Sequence, residues 1–243
     1  MIEEILETKK KHTQIPNQVQ KEIKYEPRSL KKVLEENKNP IIGEIKYSSP
    51  NEGQITKKPI KSLIKEMKDL SAISVLTEKN YFNGSIQNIS KVRELFDGPI
   101  LRKDFIFNKK QLYITKKQKA DSILLITSIL GEKLDNFVDL AKKLDLDPLV
   151  EIKNQKELDI ALNTKTDIIG INNRDLESLE IDLSKTKKFS KKIPEEIKII
   201  SESGIRTKKD IRKLEGYCDG FLVGTALMKS NNLHKKIEEL KCA

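Results

Sequence analysis

Tryptophan is absent, histidine and cysteine occur twice each, and aromatics make up only 5% of the 243 residues. Each shortage excludes something. Cys218 and Cys242 lie far apart and outside any C-x-x-C pair, so neither a disulfide framework nor a thiolate metal site is expected. His12 and His234 fall in helix-like stretches away from any strand end, which leaves a histidine base or metal site without a scaffold and makes both surface residues by default. No apolar run nears the ~18 residues that span a bilayer, and the start Met-Ile-Glu-Glu-Ile-Leu-Glu lacks the pattern of a secretory signal. A cytoplasmic chain without membrane contact is the expectation.

Arginine is scarce too: of 47 basic residues only six are Arg, although the net charge is +10. The lysine excess is spread along helical positions. It reads as a solvated surface, not as arginine forks or stacking platforms for bases, so no nucleic-acid partner is expected.

What is present is an alternation. Short apolar, β-branched runs at 41–46, 72–77, 99–103, 122–127, 148–151, 167–172, 198–201 and 220–223 are each followed by a charged stretch with helical spacing, such as 111–119 and 134–144. Eight such units in a chain near the ~250 residues of a closed barrel predict a single (β/α)8 TIM barrel; an open doubly wound sheet is the structural alternative. Polar strand ends favour the barrel, because Glu44, Lys46, Lys103, Glu151, Asn172 and Glu202 are too many for one switch-point crevice. Residues 1–39 precede the first strand and carry helical spacing at Ile2, Ile5 and Leu6, then at Leu30, Val33 and Leu34. The domain reading is a helical extension, 1–39, capping a catalytic barrel, 40–243. Its removal up to about residue 35 is expected to raise KM more than it harms folding.

Alternate side chains of a strand share a face, so Glu44 and Lys46 go with Ile42, Lys103 with Leu101, Glu151 with Leu149, Asn172 with Gly170, and Glu202 with Ile200. If those apolar partners fill the barrel, the charges enter its mouth. Singly, each has a plain structural explanation, such as a solvent-facing ladder or a turn cap. Together they would be costly to desolvate without pairing with one another or with substrate charge, and that convergence marks a site. Ser203-Gly204 and Gly224-Thr225 follow the last two strands, where barrels commonly bind phosphate through backbone N–H groups.

The ordered motifs then resemble one family. Ile-Gly-Glu-Ile-Lys-Tyr-Ser-Ser-Pro at 42–50 is similar to the E-x-K-x-x-S-P signature of indole-3-glycerol-phosphate synthases. Further matches follow at 81–84, 101–105, 149–152, 170–176, 201–205 and 224–228. The resemblance implies a cofactor-free carboxy-lyase of tryptophan biosynthesis, acting alone on a small phosphorylated substrate and expected as a monomer. It also implies roles: Lys103 as general acid, Glu151 as its partner in proton transfer, Lys46 positioning substrate, Glu44 holding Lys46, and Asn172 and Glu202 orienting ring closure. Ser49, Ser203, Gly204, Gly224 and Thr225 would line a phosphate pocket, Arg174 would support substrate or loop, and Phe82 and Phe105 would form an apolar wall. Tyr47, Asn51 and Thr225 depart from the usual pattern and leave the first βα loop open. A phosphosugar isomerase or a Schiff-base aldolase using Lys103 is the enzymatic alternative.

Overall fold

All eight apolar runs fold as strands, because each alternates between two apolar environments, the barrel axis and the surrounding helices. The computed structural model describes residues 2–12, 23–175 and 179–242. Its barrel strands are β1 (Ile41–Ile45), β2 (Ala72–Leu76), β3 (Ile100–Lys103), β4 (Ser122–Ile126), β5 (Asp147–Ile152), β6 (Ile168–Asn172), β7 (Lys198–Glu202) and β8 (Gly220–Val223). Every neighbouring pair is parallel. Closure comes from β1, which pairs with β2 through Ile42↔Ala72 and with β8 through Ile42↔Leu222, so no sheet edge is left open. The open-sheet alternative is excluded.

Ile42, Ala72, Leu101, Leu124, Leu149, Ile168, Ile200 and Leu222 form the interior, while Ile41, Ile73, Ile100, Ile123, Val150, Ile169 and Ile199 belong to two outer clusters under the helices. That division is the period-two alternation expected of the strands. The helices expected near 111–119 and 134–144 run Lys110–Lys117 and Leu134–Lys143. Sharp starts come from side-chain caps: Asn154 accepts from Glu157 N before helix Gln155–Leu162, and Thr207 with Asp210 forms a capping box before Lys208–Leu214.

The N-terminal extension is divided between the two ends of the barrel. Helix Ile2–His12 lies at the mouth, where Ile5 lines the cavity described below. Helix Leu30–Glu36 lies at the opposite end, with Leu30 and Leu34 packed into the interior cluster as a plug. Acids at the starts of strands hold it there: Asp121 accepts from Tyr25 Oη at 2.6 Å and Arg28 N at 2.8 Å, and Asp147 accepts from Ser29 Oγ and Lys31 N, both at 3.0 Å. Removal of 1–35 would therefore strip apolar contacts from the barrel floor, and the expectation of a chiefly kinetic effect fits only the first helix.

The first βα loop holds a turn that the pattern did not foretell. Residues Ser48–Ser49 and Gly53–Gln54 pair antiparallel, with Gly53 at φ +59° closing the hairpin. Tyr47 packs half-buried on the outer core, so its departure from the usual pattern leaves the cavity untouched. Leu176, in the motif at 170–176, lies outside the described residues.

Candidate active site

The mouth is polar because the same alternation that fills the barrel with Ile and Leu ends, two residues further along β1, β3, β5 and β7, on a charged side chain. Lys46 Nζ lies 3.0 Å from Glu44 Oε1. Lys103 Nζ, at the end of β3, lies 3.3 Å from Glu202 Oε2 and 3.5 Å from Glu151 Oε2. Asn172 Nδ2 donates to Glu151 Oε1 at 3.2 Å, and Asn172 Oδ1 accepts from Arg174 N at 3.0 Å. One ammonium thus sits between two carboxylates, and an amide steadies one of them.

Burial sets their protonation. Desolvation alone would lower Lys103, but Glu202, Glu151 and Glu44 outweigh it and hold the ammonium above the ordinary lysine range. Glu202 is pushed up to about 8, first by burial and then by Glu151 and Glu44, against the opposing pull of Lys103. Neither Glu202 oxygen accepts a well-directed hydrogen bond among the described residues, so the ion pair of Oε2 with Lys103 is what compensates its burial. The site can therefore offer a retained ammonium beside a carboxyl group that changes charge near neutrality.

Two glycines make room for these acids. A Cβ at Gly170 would collide with Glu202 Oε1, and one at Gly224 would collide with Glu44 Oε1. Phosphate binding is the role expected of Gly224; the packed structure adds that its missing side chain is the space Glu44 occupies. Gly204 differs, since at φ +88°, following Ser203 at +64°, the chain turns through left-handed backbone. Asn173 fixes that turn from below: its Nδ2 donates to Ser201 Oγ and to the carbonyls of Glu202 and Ser203, within 3.2 Å.

A cavity of about 580 Å³ opens above this floor, and all fourteen residues expected for the site line it. Ser49 enters from the β1 hairpin, and Phe82 and Phe105 face each other after β2 and β3 with centroids 6.2 Å apart and planes tilted by 37°. Ser203, Gly204, Gly224 and Thr225 lie after β7 and β8, and Arg174 donates to Leu179 O at 3.2 Å from the loop after β6. Missed by sequence reading were Ile5, Glu52, Asp104, Arg206, Lys229 and Lys236, which also line it. Arg206, Lys229 and Lys236 look in sequence like the solvated face of a helix. Only folding shows that they border the loops after β7 and β8.

Outside the cavity, Cys218 has its thiol pushed up to about 12, mainly by burial, and His234 is exposed. Among the described residues no group of three or more His, Cys, Asp or Glu could hold a metal ion, and no helix is long and apolar enough to cross a membrane.

Known proteins bear on the fold and on the family. Among solved structures, thiamine phosphate pyrophosphorylase from Pyrococcus furiosus superposes with a TM-score of 0.64 at 17% identity, covering 88% of this chain and 96% of that one. A mutant tryptophan synthase alpha-subunit from the same organism gives 0.64 at 15% identity, covering 84% and 98%. At such identities these likenesses speak for the barrel alone. Closer relatives are named indole-3-glycerol phosphate synthase. The protein of Thermoanaerobacter sp. (strain X514) is 46% identical over 206 residues, covering 83% of this chain and 79% of the relative. That of Methanocaldococcus jannaschii is 44% identical over 213 residues, covering 86% and 80%. The pattern of the same family, Indole-3-glycerol phosphate synthase, matches residues 2–240. With the barrel closed, the acid–base floor assembled and the match running nearly end to end, the chain belongs to the indole-3-glycerol phosphate synthase family, decarboxylating lyases of tryptophan biosynthesis.

Proposed function

We propose that this cavity closes the indole ring of 1-(o-carboxyphenylamino)-1-deoxyribulose 5-phosphate, giving indole-3-glycerol phosphate, carbon dioxide and water. The observation that carries the reading is Lys103, held protonated at the cavity floor between Glu151 and Glu202. Ring closure begins when the carboxyl-bearing aromatic carbon, supplied with electrons by the anilino nitrogen, attacks the ketose carbonyl. Negative charge develops on that oxygen, and Lys103 donates the proton that stabilises it. Loss of the carboxylate as carbon dioxide leaves a hydroxyl, whose departure as water needs one group to donate a proton and another to accept one. Glu151, steadied by Asn172, takes part in that exchange with Lys103, and Glu202 orients the reacting atoms from the other side.

Lys46, held by Glu44, neutralises and positions the substrate. Its phosphate is taken by the loops carrying Ser203, Gly204, Gly224 and Thr225, with Ser49 from the first loop and Arg174 beside them, and its aromatic ring lies against Phe82 and Phe105. The chemistry is complete without a cofactor or metal, because the electrons that close the ring come from the substrate nitrogen. Helix Ile2–His12 serves as a cap over the mouth. Since one chain carries the whole constellation, the enzyme works as a monomer, in the cytoplasm, with a small phosphorylated substrate and without nucleic acid.

The test is direct. Purified chain given the anilino-deoxyribulose phosphate should generate indole absorbance and fluorescence, and excess chelator should not slow it. The missing tryptophan leaves little protein background in that window. Turnover should fall at high pH, as Lys103 loses its proton above the ordinary lysine range. Well-folded protein that makes no indole at any pH would sink the assignment.

A further inference from the structure

Lys9 is an ammonium buried where the barrel does not require one. It donates to Asp104 Oδ1 from the first helix, with only 8% of its side chain exposed. Asp104 already has its needs met within the barrel: Oδ2 accepts from Thr77 Oγ1 at 2.6 Å and Arg102 Nη2 at 2.8 Å, and Oδ1 accepts from Phe105 N at 2.8 Å. Burying a further cation there costs desolvation, which pushes Lys9 below the ordinary lysine range. What the contact does accomplish is placement. Residues 5, 8 and 9 of a helix share one face. On that face Lys9 holds Asp104, next to Phe105, while Thr8 Oγ1 lies 3.4 Å from Tyr81 Oη, next to Phe82. Ile5, 2% exposed, then completes the cavity lining from the same helix.

Phe82 is positioned as firmly. Buried Glu78 accepts from the backbone N–H groups of Asn80, Tyr81 and Phe82 at 2.7–3.2 Å, so the loop that meets Thr8 is held by bonds that do not involve the helix. We infer that Lys9 is a positioning residue: its ion pair with Asp104 seats the first helix so that Ile5 becomes a third apolar wall for the aromatic end of the substrate, beside Phe82 and Phe105. The inference rests on the proposed ring-closing reaction, because it assigns an aromatic ring to that end of the cavity. It makes recognition of the ring dependent on the helix, while the phosphate end, built from the loops after β7 and β8, is independent of it.

The test compares Lys9→Met, which keeps length and loses charge, with Lys9→Arg, which keeps the charge. In Lys9→Met, KM for the anilino-deoxyribulose phosphate should rise about tenfold with kcat within about twofold, and the inhibition constant of inorganic phosphate should be unchanged. Backbone amides of residues 2–12 should exchange with deuterium faster, and Lys9→Arg should restore both KM and exchange. A general loss of structure would move the phosphate constant and the melting temperature as well. Unchanged KM in Lys9→Met overturns the inference, as does a phosphate constant that rises in parallel. If the wild-type chain forms no indole, the reaction assigned above fails by itself; the exchange arm still reads the clamp, and amides no faster in Lys9→Met would refute it independently.

Discussion

Replacing Glu202 with glutamine should make this protein more stable and less active, and the gain should grow with pH. Glu202 is buried with Glu151 and Glu44 nearby, so its ionised form is disfavoured and its proton is held up to about 8. In the unfolded chain an ordinary glutamate loses that proton near 4.5. Between those values the folded state binds more protons than the unfolded one, so raising the pH lowers stability, by about 1.4 kcal/mol per pH unit at most. Above about 8 the carboxylate is ionised in both states and the penalty stops growing. The full interval corresponds to an upper figure of ~5 kcal/mol. Lys103 at 3.3 Å can shift toward the new charge, and water can enter the open cavity, so ~2 to 3 kcal/mol is the expected gain at pH 8. For a chain of this size that is a rise of roughly 5–10 °C in melting temperature. The assay is urea or thermal unfolding of wild type and Glu202→Gln from pH 5 to 9. Near pH 5 the two should nearly coincide; they should diverge with rising pH and run parallel above about 8. A constant difference across the range, or a less stable variant at pH 8, would refute the reasoning.

Lys103→Ala should reduce kcat by about 10² to 10⁴-fold with the barrel intact, read by steady-state kinetics beside circular dichroism; unchanged turnover removes Lys103 from the mechanism. Gly224→Ala puts a Cβ on Glu44 Oε1 and should disturb the Glu44–Lys46 pair, lowering kcat at least about tenfold, whereas Gly204→Ala, strained at φ +88°, should chiefly weaken competition by inorganic phosphate. Deleting residues 1–12 should raise KM with little change in melting temperature. Deletion through residue 36 should also remove Leu30 and Leu34 from the barrel floor, at about 2–5 kcal/mol for each, and lower the melting temperature sharply.

Much of this protein can be read from its residues in order. Short apolar, β-branched runs locate the eight strands, because a strand between an axis and a ring of helices buries both faces, as Ile41 with Ile73 and Ile42 with Ala72 do. The same period places Glu44, Lys103, Glu151, Asn172 and Glu202 on the inward rows, and all of them line one cavity. Local chemistry also carries the caps, as at Asn154 and Thr207.

Other features have no local signature. Lys9 and Lys229 are ordinary helix lysines in sequence, yet one is buried on Asp104 and the other lines the cavity, because contacts across 95 residues or around a ring depend on closure. The division of the extension between mouth and floor follows from where Asp121 and Asp147 come to lie, at the starts of β4 and β5. The room that Gly170 and Gly224 leave for carboxylates exists only once neighbouring strands are in register. Which residues face inward is thus a local matter, determined by the two-residue period of the strand. Which of them meet, how deeply they are buried and where their protons lie are decided by the tertiary structure, because distance and desolvation belong to the assembled barrel.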